Sequence, residues 1–392
     1  MNGELDICVK RAGFIQSTTG PRLYTKITER GPGLQPHICH MCIYVDDMIV
    51  ATTPKNPDYD GGGGLLVHID RVFKRAGGGP VDFFLGWGIT RDRKNRRLRT
   101  DQKQMIRDTI APPPGSPPPL KAPTILTTKF IASKLDCPQT DADKRKYKAA
   151  AERYRTTLGK MLYVARCTRP DILPALSVLG RYTSNPGPNH TKAMRHLGWY
   201  LHNTIDKCLD YRPPHAEPVN VLTAYEKHLN PGASNDHILV GYVDADWAGD
   251  RDTRRPQGGG IMMLNCSPVA WFPKKQPVVA MSTMESELIS LTAGALLIVY
   301  LRNLLSGLDV PQTQATVMNG GNKATITVAH NRSINKAARH IAIRHFKVKE
   351  LIADGTIVCS YCPSFENKAD IMTKNVDSNT LDRHVSTMLG TI

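Results

Sequence analysis

The order of apolar patterns along this 392-residue chain predicts an α/β protein whose C-terminal part is a mixed β-sheet flanked by helices. Three observations predict it. Ile238–Asp244 alternates as a strand, and Gly260–Asn265 with Val269–Phe272 read as a hairpin joined by a polar turn. A long apolar helix, Glu285–Leu305, precedes a strand (Ala315–Met318), a helix, a basic helix (Ala338–Asp354), a strand (Thr356–Tyr361) and a closing helix. Upstream, Cys39–Val50 is a strand-like run, apolar except for two central acids.

Four segments follow in order. Residues 1–110 alternate short strand-like and helix-like patterns. Residues 111–141 are a Pro-rich linker opening with APPPGSPPPLKAP, which reads as an extended spacer rather than an SH3-type ligand. Residues 142–235 turn helical: Tyr154, Leu158, Met161, Leu162 and Ala165 recur at helical spacing. A second helix starts at about Asn189, with Ala193, Leu197, Tyr200 and Leu201 on one face, and the Pro-, Asn- and Gly-bearing stretch 212–237 reads as a boundary. Residues 236–392 form the α/β layer.

Apolar residues make up 41% of the chain and charged ones 22%, which excludes intrinsic disorder as its general character. Lysine and arginine outnumber aspartate and glutamate by 51 to 35, a net charge of +16. Such a surplus favours a polyanionic partner, because each neutralised phosphate releases condensed counterions. No uninterrupted apolar run reaches the roughly eighteen residues of a bilayer span, so no membrane is expected. The N-terminal MNGELDICVKRAGF lacks the apolar core of a secretory signal, and nine scattered cysteines suit a reducing compartment; both predict an intracellular location, cytoplasm or nucleus.

Cys39/Cys42 and Cys359/Cys362 have Cys-x-x-Cys spacing. Both pairs lie in strand-like runs far apart in sequence, so they read as buried free thiols rather than zinc ligands. Glycine clusters at 61–64, 77–79 and 258–260 lack the Lys-Ser/Thr of a phosphate loop and read as flexible loops.

Acids in apolar surroundings are the candidates for chemistry, because an unpaired buried charge is costly. Enzymes that make or cut nucleic-acid strands hold divalent metals, ~3.5–4 Å apart in two-metal sites, on carboxylates from separate elements. Asp46 and Asp47, inside HICHMCIYVDDMIV, are expected at a hairpin turn. Asp244 ends the first C-terminal strand, with Asp246 read as a solvated turn neighbour. On a helix starting near Glu285, Glu287 shares the face of Leu291, Ile298, Leu301 and Leu305, whereas Glu285 points nearly opposite as a helix-start acid.

Tyr44-Val45-Asp46-Asp47 resembles the Tyr-Val-Asp-Asp box of reverse transcriptases, where the first acid holds metal. Gly13-Phe14 with Leu23-Tyr24, Phe84-Leu85-Gly86 before RDRKNRRLRTDQ, Tyr154-Arg155 with LGKMLYVARCTRPDI, and HTKAMRHLGWYLHNT are similar to strings of the copia-type retrotransposon Pol polyprotein, C-terminal part. Together they span most of residues 8–210. GYVDADWAG (241–249), MSTMESE (281–287) and NKADIMTK (367–374) then resemble the ribonuclease H region of the same family.

The resemblance implies an α+β palm remnant over 1–110, a truncated reverse transcriptase palm and thumb, a connection region over 142–235, and an RNase H-like domain over 236–392. It places Mg²⁺ (or Mn²⁺) on Asp244, Glu287 and Asp370, with Asp46 and Asp47 as the polymerase remnant. The family's fourth acid falls on Gly321, beside Asn322, and its downstream His-x-Arg-Thr-Lys-His element is eroded at Asn335–His340. One polymerase motif does not make a two-metal site, so autonomous DNA synthesis is not expected. The implied reaction is hydrolysis of RNA in an RNA–DNA hybrid, impaired in this copy, with Arg339, Arg344 and Lys347 as phosphate contacts and an intact polymerase subunit as a further partner. The alternatives are a non-catalytic nucleic-acid-binding protein and a decayed copy without a role.

Overall fold

Two β-rich units make up the protein in a computed structural model: Met1–Leu85 with Val299–Thr313, and Gly86–Ile298 with Gln314–Ile392. The structure describes residues 2–60, 64–73, 78–110, 120–127, 130–212, 238–247, 250, 252–265, 267–331 and 342–392. The division at Leu85/Gly86 lies upstream of the 110/111 boundary read from composition. The proline run 111–119, the boundary stretch 213–237 and the eroded element 335–340 fall outside the described residues.

In the smaller unit β1 (Ile15–Gln16), β2 (Leu23–Thr28), β3 (His37–Tyr44) and β4 (Asp47–Thr52) form an antiparallel sheet in sequential order. Alternation buries Cys39, Met41 and Ile43 on one face, in a core with Leu5, Cys8 and Val9 of helix Asn2–Arg11 and Leu65 and Ile69 of helix Leu65–Asp70. The strand-like run Cys39–Val50 forms the hairpin expected around its two central acids. Tyr44 pairs with Asp47, so Val45 and Asp46 are its two-residue turn, with Val45 at φ 55°. Cys39 is buried, but Cys42 is exposed: three residues apart on a strand they point to opposite faces, which corrects the reading of both as buried. β5 (Phe83–Phe84) follows.

The larger unit holds β6 (Trp87–Asp92), β7 (Arg97–Asp101), β8 (Lys207–Tyr211), β9 (Leu239–Asp246), β10 (Gln257–Leu264), β11 (Ser267–Lys275), β12 (Thr316–Gly320), β13 (Ile357–Tyr361) and β14 (Leu389–Thr391). One mixed sheet has the order β11–β10–β9–β12–β13. β9, β10 and β11 are antiparallel neighbours, and β12 and β13 are added in parallel. β14, β8, β7 and β6 neighbour one another in a second sheet.

The 258–260 glycines are not a loop. They lie buried in β10, where a Cβ on Gly259 would come within 2.5 Å of Met372 Cβ and one on Gly260 within 2.7 Å of the Phe272 ring. Helix Thr283–Gly307 covers the opposite face of β9: a Cβ on Gly294 would lie 2.6 Å from Val243 Cγ1, and one on Gly241 would lie 2.9 Å from Ile298 Cδ1. By length and mean composition, though not as an unbroken apolar run, this helix is apolar enough to cross a membrane, but half of its most apolar window is buried in the fold.

Both expected connection helices form, over Asp141–Cys167 and Pro188–Asn203. Thr140 caps the first, its hydroxyl accepting from the Asp143 N–H at 3.1 Å, and Tyr154, Leu158, Met161 and Ala165 are buried along it. Ala122, Ile125 and Leu126, from the segment read as linker, join the same core. At its centre Arg169 and Asp171 are fully buried as a bidentate pair, at 3.0 and 2.8 Å. Arg169 also donates to the Thr204 carbonyl at 3.0 Å, and Tyr200 donates to Asp171 at 2.9 Å. Removing one partner strands a buried charge. Arg169→Met is therefore expected to destabilise the protein by about 3–5 kcal/mol in urea unfolding, and Arg169→Met with Asp171→Leu to recover most of that loss.

Candidate functional site

β9 delivers two acids at its end. Period-two alternation places Asp244 and Asp246 on the face opposite Gly241 and Val243, away from helix Thr283–Gly307. Cross-strand from Asp244 is Gly259, the residue against which Met372 rests. That close approach lays the short helix Asp370–Thr373 on the sheet beside Asp244. Asn367 fastens the preceding loop, donating to the Val243 carbonyl at 2.9 Å and accepting from the Ala369 N–H at 3.1 Å.

Asp244 is 4% exposed and Asp370 6%. Thr373 Oγ1 donates to Asp244 Oδ2, and Ser364 Oγ donates to Asp370 Oδ2 at 2.6 Å. Lys374 Nζ lies 3.6 Å from Asp244 Oδ2 and 3.3 Å from Asp370 Oδ1, bridging the two carboxylates. Burial raises the Asp244 pKa, Lys374 opposes that rise, and Asp370 adds to it. For Lys374 burial acts downward, but Asp244 and Asp370 outweigh it and its pKa is raised.

Glu287 approaches from the helix on the other face. Its neighbour in sequence, Glu285, caps that helix: Ser282 Oγ accepts from the Glu285 N–H at 3.1 Å, and the Glu285 carboxylate accepts from the Met281 N–H at 2.7 Å. Glu285 is thus a helix-start acid, although it is as buried as Glu287 rather than turned away to solvent. Glu287 is pushed up to about 8, first by burial and then by repulsion from Asp244 and Asp370, against Lys374. The Ala245 backbone N–H bears on both the Asp244 and Glu287 carboxylates.

Gly321 stands at the same end of the sheet, because β12 is the parallel neighbour of β9 and Gly320 registers with Val243. A Cβ on Gly321 would lie 3.7 Å from Asp244 Oδ1 and 3.8 Å from Asn367 Nδ2, in ordinary contact. Asn322 caps helix Lys323–His330, its Oδ1 accepting from the Thr325 N–H at 3.0 Å.

Asp244, Glu287 and Asp370 therefore share one electrostatic environment. Among the described residues, however, no three His, Cys, Asp or Glu stand close enough to hold an ion as arranged. The donors are all carboxylate oxygens, which suits a hard cation such as Mg²⁺ or Mn²⁺, but Lys374 takes the place between two of them. Sequence reasoning missed Lys374 and Thr373, although both lie in the NKADIMTK string it singled out. It also missed His384, which is 2% exposed, has its Nε2 without a hydrogen-bond partner, and is held low by burial against the pull of Asp370. Asp246 is a correction: it closes β9 half-buried, and burial raises its pKa against Lys374, so it is not a solvated turn residue.

Asp46 and Asp47 lie exposed at the β3–β4 hairpin in the smaller unit, apart from this cluster in the division of the chain. Of the expected phosphate contacts, Lys347 is exposed on helix Ala342–Ala353 and pairs with Glu350 at 3.2 Å. Arg339 and the Arg344 side chain lie outside the described residues.

The raised Glu287 has a consequence for the metal-free protein. Its folded pKa of about 8 exceeds the ordinary 4.5, so the folded state holds the proton more tightly than the unfolded chain. That stabilisation is complete below about pH 4.5 and is lost as pH rises through about 8. Glu287→Gln, which stays neutral, is expected to be more stable than wild type by about 2–4 kcal/mol at pH 9 in chelator-treated samples and to match it at pH 5. Equal unfolding midpoints at pH 9 would contradict the geometry.

No protein-family model matches the chain. It is 27% identical over 390 residues to the retrovirus-related Pol polyprotein from transposon TNT 1-94 of Nicotiana tabacum, covering 97% of the chain and 26% of that protein. The Pol polyproteins from transposons RE1 and RE2 of Arabidopsis thaliana are 25% and 24% identical over 383 and 394 residues, again over nearly the whole chain. The chain spans about a quarter of the length of these relatives. With such homologues along almost its entire length, the chain is a retrotransposon-derived relative of the retrovirus-related Pol polyproteins.

Proposed function

We propose that the part of the chain from residue 238 onward is an RNase H-like domain that binds RNA–DNA hybrid and hydrolyses its RNA strand weakly. The observation that carries this reading is the gathering of Asp244, Asp370 and the Gly321 backbone at one end of β9, with Glu287 coupled to them electrostatically. The β11–β10–β9–β12–β13 order, three antiparallel strands followed by two parallel ones, supports the fold assignment. The family resemblance supports the substrate class.

Divalent cations, when bound, supply Lewis-acid activation of the attacking water and the scissile phosphate. Asp244, Glu287 and Asp370 are the residues that would hold them. Thr373 and Ser364 orient two of these carboxylates by donating to them, and Asn367 fixes the loop from which Asp370 comes. Glu287 must lose its proton to act as a ligand, which its raised pKa opposes near neutrality in the absence of a cation. The fourth position carries no donor, because Gly321 has no side chain. The exposed Asp46–Asp47 hairpin belongs to the smaller unit and takes no part in this reaction.

A second reading is hybrid binding without turnover. Lys374 favours it, since the ammonium compensates the acids with no metal present. Binding of that kind rests on the +16 surplus and weakens steeply with salt.

Two measurements on the full chain separate these readings. In a labelled-hybrid cleavage assay with Mg²⁺ or Mn²⁺, Asp244→Asn is expected to lower the rate by about a hundredfold or more, and Gly321→Asp to raise it by about ten- to a hundredfold. Cleavage by Asp244→Asn at the wild-type rate would sink the nuclease reading. Undetectable cleavage by both wild type and Gly321→Asp, alongside salt-sensitive hybrid binding, would favour the binding protein.

A further inference from the structure

We propose that Lys374 is a tethered counter-ion of the carboxylate cluster, occupying the space between Asp244 and Asp370 and competing there with a divalent cation. The inference rests on the RNase H-like reading of the site and concerns how its occupancy is controlled.

Three observations carry it. The Lys374 ammonium bridges oxygens on two elements, Asp244 Oδ2 at 3.6 Å on β9 and Asp370 Oδ1 at 3.3 Å on helix Asp370–Thr373. Asp370 Oδ1 is buried and has no hydrogen-bond donor, so this ion pair compensates it. The lysine side chain is 38% exposed whereas the two aspartates are almost wholly buried, so its flexible four-carbon stem has an open way to solvent.

The consequence is a two-state site. With the lysine in, the buried aspartates are compensated without metal. With the lysine out, the same oxygens face a cation with twice the charge, and the ammonium is rehydrated. A divalent ion binds only the second state, so its apparent affinity is lowered by the fraction of molecules in which the lysine is out. Gly321 strengthens the competition, because a Cβ there would already lie 3.7 Å from Asp244 Oδ1, and an acid built on it would add negative charge beside the cluster and favour the doubly charged ion.

The test uses Mn²⁺ as probe on the chelator-treated full chain, read by titration calorimetry and independently of hybrid cleavage. Lys374→Met is expected to bind Mn²⁺ about tenfold more tightly than wild type, Lys374→Arg to stay near wild type because it keeps the charge, and Lys374→Met with Asp244→Asn to lose the gain. A second readout needs no variant: Mn²⁺ is expected to raise the acylation rate of Lys374 in wild type several-fold, measured by peptide mass spectrometry. Unchanged affinity in Lys374→Met or unchanged acylation, with Mn²⁺ still bound at Asp244, overturns the lysine proposal and leaves the metal site. Absence of Mn²⁺ binding in wild type, Lys374→Met and Gly321→Asp alike overturns the metal-site reading as well.

Discussion

The contact between Gly259 and Met372 sets the geometry on which the candidate site depends. Gly259 pairs with Asp244 across the β9–β10 ladder, and the missing side chain lets helix Asp370–Thr373 lie almost on the backbone. Any larger residue would push that helix outward and separate Thr373 and Lys374 from Asp244. Gly241 and Gly294 do the equivalent work on the opposite face, drawing helix Thr283–Gly307 onto β9 and β12 and so bringing Glu287 to the same strand end. Carboxylates that are far apart in sequence meet because the sheet is thin in side chains where they converge.

Two buried ionic clusters in the same unit show how differently such groups can be arranged. Arg169 and Asp171 are matched one to one in a bidentate pair, with Tyr200 and Thr204 taking further hydrogen-bonding positions. In such a pair the low dielectric strengthens each contact and fixes one geometry. At the end of β9, two carboxylates share one ammonium, and a third acid, Glu287, lies within its electrostatic reach. Burial and mutual repulsion then raise the Asp244 and Glu287 pKa values, where the matched pair leaves no such surplus of acid. The contrast separates a core polar network from a functional candidate without reference to homologues.

Much of this was legible in the sequence, for identifiable reasons. Period-two alternation marked the β3–β4 hairpin and β9, and the helical face of Glu287 separated it from Glu285, whose role as a helix-start acid followed from its place before a long apolar run. What stayed hidden depended on tertiary proximity. The 258–260 glycines looked like a loop because the reason for them, Met372, lies more than a hundred residues away. Lys374 stayed an unremarked letter of the NKADIMTK string, since nothing local indicates that its ammonium reaches back to β9. Asp246 differs from Asp244 only in how far along the strand burial extends. Cys42 was misjudged because a strand-like run suggests burial on both faces, whereas the β3 sheet buries only one.

The β3–β4 turn carries a different kind of information. Val45 sits at φ 55°, in the left-handed region that a β-branched residue avoids, at a cost of roughly 1–3 kcal/mol. A two-residue hairpin turn is served best by asparagine, aspartate or glycine, so fold stability alone would not select valine there. Val45 is also half-exposed, so it recovers little of that cost by burial. Asp46 and Asp47 are exposed beside it at the tip of the hairpin. A β-branched residue at positive φ is a genuine outlier, which marks this turn as a strained feature of the smaller unit. Tyr44 through Asp47 form it in a chain whose larger unit holds a separate, lysine-compensated set of acids.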